Sequence, residues 1–90
     1  MWKIIRNPIP GYKKIVFASA DWNEKEAKKL EAAGKLYKFR MLVPADENLS
    51  IYYLGLSTIP NSTIPLTNFG IKLGCDYIEY KNEKGEWKII

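Results

Sequence analysis

The sequence predicts an α+β fold: one small domain, residues 1–90, in which a mostly antiparallel, twisted sheet of about five or six strands is covered by a single helix. Three observations predict it. Ninety residues allow one hydrophobic core and no second. Only the stretch around 21–34 carries helix start and stop signals. The rest breaks into short apolar or alternating runs separated by Pro, Gly and Asn, in the order β-β-α-β-β-loop-β-β.

The first strand is Trp2 to Arg6, stopped by Asn7-Pro8-Ile9-Pro10-Gly11, where two prolines lack backbone donors. A second strand is expected from Lys13 to Ser19 on the apolar run Ile15-Val16-Phe17-Ala18. The helix follows. Asp21 with Glu24, or Asn23 with Glu26, supplies its N-cap, and Gly34 is placed to end it in a left-handed turn. Its apolar stripe, Ala27, Leu30 and Ala33, is thin, so it covers a sheet and forms no core alone.

Tyr37, Phe39, Met41 and Val43 alternate with Lys38, Arg40 and Leu42, which gives a strand with one apolar and one mostly basic face. Pro44 to Asn48 reads as a turn and Leu49 to Leu56 as the returning strand. Ser57 to Thr67 is a proline-bearing loop from which Leu66 and Phe69 can plug the sheet. A last hairpin pairs about 76–81 with 86–90 around Asn82-Glu83-Lys84-Gly85. Trp-Lys-Ile-Ile occurs at 2–5 and again at 87–90, which reads as two strands with similar demands rather than a duplicated domain.

Composition bounds the function. Hydrophobic residues make up 47% and charged residues 27%, an ordinary globular balance. No apolar run is long enough for a membrane helix, and the N-terminus lacks the apolar stretch of a secretory signal. Histidine is absent and Cys75 is the sole cysteine. Cys/His zinc sites, Ser-His-Asp or Cys-His catalytic units and an intrachain disulfide are thereby excluded, and a reducing, cytoplasmic setting is the expectation. Cys75 beside Asp76 reads as a small buried hydrophobe, not a reactive thiol.

Acid–base chemistry would fall to carboxylates, and none are well paired. Asp46 and Glu47 are adjacent and point apart, while Glu79 and Glu86 face each other only if the last hairpin aligns them. Gly70 to Cys75 has neither phosphate-loop nor dinucleotide spacing. No enzyme activity, metal or cofactor is expected.

Net charge is +4, unevenly spread: residues 1–40 hold ten Lys/Arg and four acids, and residues 41–90 hold four Lys and six acids. The lysines either solubilise the domain and guard its strand edges, or form a basic face toward a polyanion. Only Arg6 and Arg40 offer guanidinium groups, so bidentate reading of bases or phosphates is sparse. Lys13, Lys14, Lys38 and Arg40, with Tyr37 or Tyr52 stacking, are the candidate contacts for single-stranded nucleic acid. The same surplus of aromatics is what a protein interface uses.

The segments Tyr37-Lys38-Phe39-Arg40-Met41-Leu42, Ile51-Tyr52-Tyr53-Leu54-Gly55-Leu56-Ser57, Pro65-Leu66-Thr67-Asn68-Phe69-Gly70, Gly74-Cys75-Asp76-Tyr77-Ile78-Glu79-Tyr80 and Gly85-Glu86-Trp87 carry a resemblance. Over residues 36–90 the chain resembles a loose group of small uncharacterised proteins encoded on phages and integrative elements of Gram-positive bacteria. The resemblance implies a setting, in which small proteins commonly bind and modulate a host or defence protein, some as anti-CRISPR-like inhibitors. Physically, Gly70 and Gly74 are expected to bracket a turn needing positive φ.

Two functions follow as expectations. One is a non-enzymatic protein-binding accessory factor, a modulator or inhibitor. The other is weak, sequence-tolerant nucleic-acid binding by the basic face of residues 13–40. Self-association as a homodimer is also expected, through a terminal strand edge carrying Trp2 and Ile4 or Trp87 and Ile89; pairing of the two termini within one chain would hide that edge.

Overall fold

Among the described residues, five strands form one antiparallel sheet in the order β1-β3-β2-β4-β5: β1 (Trp2–Arg6), β2 (Tyr37–Ala45), β3 (Leu49–Ser57), β4 (Tyr77–Lys81) and β5 (Trp87–Ile89). One helix, α1 (Glu24–Ala32), precedes β2. The structure is a computed structural model describing residues 1–6, 17–45 and 49–90, with 43–45, 49–52 and 73 described by backbone alone. The fold class is α+β.

The long hairpin β2–β3 is the spine, running in unbroken register from Tyr37 opposite Ser57 to Ala45 opposite Leu49. Pro44 and Ala45 continue the strand rather than starting a turn. They lie beyond the stretch that β4 pairs, Phe39 to Leu42, so proline's missing donor costs no bond on that side. The last hairpin is held by Asn82. Its Oδ1 accepts from the Lys84 and Glu86 amides at 3.0 and 2.9 Å, and Gly85 takes φ +80°.

Of the expected second strand, residues 13–16 lie outside the described residues. Residues 17–19 make one isolated bridge, Ala18 opposite Lys3. The Ile4 amide donates to the Phe17 carbonyl at 2.8 Å, and the Ser19 amide donates to the Trp2 carbonyl at 2.9 Å. The outer edge of β1 is therefore already occupied at Trp2 and Ile4.

Asn23, not Asp21, caps α1: its side chain accepts from the Glu26 amide at 3.1 Å. Asp21 instead meets the N-terminal amine at 3.4 Å. Glu24 takes the Lys3 ammonium and the Trp22 indole N–H, both at 2.9 Å, which ties the helix start to β1 and lowers the carboxyl's pKa. Gly34 follows the helix with φ +71°.

The helix does not fill the core. Ala27 is its one buried residue, and the central cluster contains no residue of α1. That cluster joins Trp2, Ile4, Phe39, Met41, Tyr53, Phe69, Cys75, Ile78 and Tyr80. The plug comes from residues after the loop: a π-helical turn, Leu66–Gly70, running into a 3₁₀ turn, Ile71–Leu73. Phe69 is buried there and stacks on Phe17, centroids 4.3 Å apart, and Trp2 completes the triangle at 5.3 Å from Phe17 and 6.0 Å from Phe69.

Gly70 has ordinary helical backbone angles, φ −61°, contrary to the expected positive φ. Glycine is needed there for space, because a Cβ would sit 2.6 Å from Met41 Sδ. Gly74 alone of that pair takes positive φ, +82°.

Candidate binding face

A sheet has two faces, and directly paired residues share one. The register places Trp2, Ser57 and Tyr37 on one face, with Ile4, Gly55, Phe39 and Tyr80, then Tyr53, Met41 and Ile78. That face carries the cluster sealed by Phe69 and Leu66. The other face presents Lys3, Leu56 and Lys38, then Leu54, Arg40, Glu79 and Ile89, with Trp87 opposite Lys81. It is exposed toward its two edges, with Ile5 51% and Ile89 66% exposed, while its centre is not: Leu42 and Glu79 are buried and Arg40, Leu54 and Leu56 half-buried.

At its centre Glu79, 7% exposed, accepts two hydrogen bonds from Arg40 on one carboxylate oxygen, Nη2 at 2.8 Å and Nε at 3.2 Å. The guanidinium carbon in turn lies 4.3 Å from the Trp87 ring centroid. Carboxylate, guanidinium and indole thus form a layered stack across β4, β2 and β5 that fixes Trp87. Beside it a cavity of about 180 Å³ is lined by Ile5, Leu54, Lys38, Lys81 and Trp87. Its lining draws on all five strands, from β1 to β5. The volume is below that of a drug-sized ligand site and suits one or two side chains.

The expected contacts are only partly brought together. Lys38 and Arg40 share the open face, but Arg40 is engaged by Glu79 and Trp87. Tyr37 points to the opposite face and packs against the core, so it cannot stack beside them. Neighbours along a strand alternate, and this separates the proposed trio. Lys13 and Lys14 lie outside the described residues. Tyr52 pairs by its backbone with Leu42; its side chain lies outside the described residues.

The two expected edges also divide. Trp2 and Ile4 are buried, at 5% and 1% exposure, and the backbone beside them is bonded to residues 17–19. They offer no edge for association. Trp87 and Ile89 lie on the opposite edge of the sheet. Asn82 donates to the Glu86 carbonyl and Ile90 to the Ile78 carbonyl, so even-numbered backbone groups of this strand face inward and those of Trp87 and Ile89 face out. The termini therefore do not pair with each other.

Ile5 and Lys81 were no part of the expected surface. The signal for Lys81 is in the sequence: Tyr77-Ile78-Glu79-Tyr80-Lys81 alternates, so a buried Ile78 and Tyr80 put Glu79 and Lys81 together on the far face. Ile5 carried the same signal, since alternation along β1 puts it with Lys3 on the face away from Trp2 and Ile4, where it lines the cavity.

Chemistry-bearing groups are otherwise engaged. Glu79 sits opposite Ile89, not Glu86, and Glu86 lies 3.8 Å from Lys88. Cys75 is buried, and burial, then Asp76, pushes its thiol up to about 11. Among the described residues no group of three or more His, Cys, Asp or Glu is arranged to hold a metal ion, and no helix is long and apolar enough to cross a membrane.

No family model, no curated protein and no solved structure matches the chain.

Proposed function

We propose that this domain is a non-enzymatic accessory factor that binds a partner protein through the open face of its sheet. One observation carries the proposal: a tryptophan stacked on Arg40 and the exposed Ile5 line an apolar cavity away from the domain's own plug, with Ile89 exposed on the same face. Aromatic anchors held rigid before binding, next to an apolar pocket, are where interface energy concentrates. A binder of this size acts by occupying a surface its partner needs. The resemblance to proteins of phages and integrative elements supports a host or defence protein as that partner.

Nucleic acid is the second reading, favoured by Lys38 and Lys81 beside the Trp87 ring. It is disfavoured by the engagement of Arg40 and by the inward-facing Tyr37.

A photo-reactive phenylalanine analogue at Ile89, compared with one at the exposed Lys28 on α1, tests the proposal in lysate of a Gram-positive bacterium. The expected result is a discrete protein adduct from position 89, competed by unmodified domain and lost in Trp87→Ala. Equal labelling from both positions, or nucleic acid alone with salt-sensitive binding, overturns it.

A further inference from the structure

Lysine placement on the open face narrows the partner's chemistry. Lys3, Lys38 and Lys81 sit in successive positions of one row, with Leu56 between the first two. Lys3 is neutralised by Glu24 at 2.9 Å. Lys38 and Lys81 are not. The register of β2 and β4 ends at Phe39 opposite Tyr80, and Lys38 and Lys81 are the next residue on each strand. Both are exposed, both line the 180 Å³ cavity, and among the described residues neither forms an ion pair. Like charges close together on neighbouring strands repel, and the two ammonium groups lining one cavity do so here.

The acids nearby do not relieve it. Glu79 is committed to Arg40. Glu83 lines a second hollow with both lysines, beside the β4–β5 turn, without an ion pair to either. What remains is an apolar floor of Ile5 and Leu54, a Trp87 wall and the side chains of Lys38 and Lys81.

We propose that this cavity receives a partner segment in which a large aliphatic side chain is flanked by a carboxylate: the side chain enters between Ile5 and Trp87, and the carboxylate sits between Lys38 and Lys81. The proposal rests on the protein-binding role above and specifies its charge. An acidic-apolar peptide is favoured over a nucleic acid because the cavity is of side-chain size and the Trp87 ring in its wall already stacks on Arg40. Lysine ammonium groups satisfy a carboxylate as point charges and need no guanidinium fork.

The test uses the full chain, ¹⁵N-labelled, with two probes: the acetylated hexapeptide amide Glu-Asp-Leu-Leu-Asp-Glu and its counterpart with lysine at every acidic position. The acidic peptide is expected to shift the amides of Lys38, Gly55 and Lys81 and the Trp87 indole, and to bind about tenfold tighter than the basic one. Lys81→Glu turns the repulsive pair into an attractive one. It is expected to raise the melting temperature while losing about tenfold in affinity for the acidic peptide. The double variant Lys38→Glu/Lys81→Glu restores like-charge opposition and reverses the peptide preference. Equal binding of both peptides, shifts centred away from the cavity, or no rise in melting temperature with Lys81→Glu overturns the proposal. Should the peptides fail while crosslinking from position 89 still captures a protein, only the charge assignment is lost; failure of both removes the protein-binding role itself.

Discussion

Trp-Lys-Ile-Ile opens the chain and closes it, and the two copies have opposite fates. In β1, Trp2 and Ile4 are 5% and 1% exposed and belong to the core. In β5, Ile89 is 66% exposed and Trp87 lies on the open face, stacked on Arg40. Composition cannot explain this, since the four residues are identical. Register parity does. Trp2 pairs with Ser57, which pairs with Tyr37 on the sealed face, whereas Trp87 pairs with Lys81, one step from the buried Tyr80. A shift of one residue exchanges the faces of a strand, so the tight β4–β5 turn determines what Trp87 touches. Burial belongs to a position in a register, not to a residue type.

Matched substitutions sharpen the contrast most. Ile4→Lys buries an ammonium in a site with no partner and is expected to cost more than about 4 kcal/mol, enough to unfold a small domain. Ile89→Lys is expected to stay within about 0.5 kcal/mol. Chemical denaturation of the two variants measures the difference. Comparable losses would mean that β5 is covered by contacts the register does not show. In light scattering, any mass near twice 10.4 kDa should vanish with Ile89→Lys, because only the β5 edge leaves Trp87 and Ile89 backbone groups outward.

Removing the indoles separates the copies next. Trp2→Ala is expected to cost about 3–5 kcal/mol by opening a cavity under Phe17 and Phe69. Trp87→Ala, which strips a partly exposed lid from Arg40, is expected to cost about 1–2 kcal/mol and to abolish partner binding.

Arg40→Met tests the stack that orients Trp87. It leaves the Glu79 carboxylate shielded and uncompensated, with an expected loss of about 2–3 kcal/mol because the pair is partly solvated. Adding Glu79→Leu should recover most of that, and persistence of the full loss would place the energy elsewhere.

The smallest effect concerns the sealed face. Cys75 has its thiol raised from 9.0 to about 11 by burial, so the folded state favours the protonated form. Its stabilising contribution is complete below pH 9 and is lost as pH rises toward 11. Stability measured over that window should fall more steeply for the wild type than for Cys75→Ala.

Local signals made many boundaries legible. Trp2–Arg6, the helix between Asn23 and Gly34, the alternation from Tyr37 and the final hairpin each follow from caps, periodicity or turn residues within a few positions. The loop plug was legible in part: Leu66 and Phe69 stood out as apolar residues in a polar stretch, but the helical turns carrying them did not. Proline at 60 and 65 and glycine at 70 and 74 argue against helix locally, and burial of Phe69 against the sheet overrides them. The candidate face was less legible still. Lys38 and Arg40 were visible as a basic alternation, but their partners Glu79, Lys81 and Trp87 are brought to them from about forty residues away.

By itself, the sequence determined the fold class, the strand and helix signals, the two-faced character of β2 and the absence of histidine and disulfide chemistry. Those properties are local, set by side-chain period, backbone restriction and residue inventory. Only the tertiary structure decided that a short helical plug seals the core, that β1 is an occupied edge and β5 an open one, and that Lys38 and Lys81 line one apolar cavity. Each depends on strand order and register, which arise when segments distant in sequence pair. The Trp and first Ile of one four-residue sequence can then become core at one edge of a sheet and surface at the other.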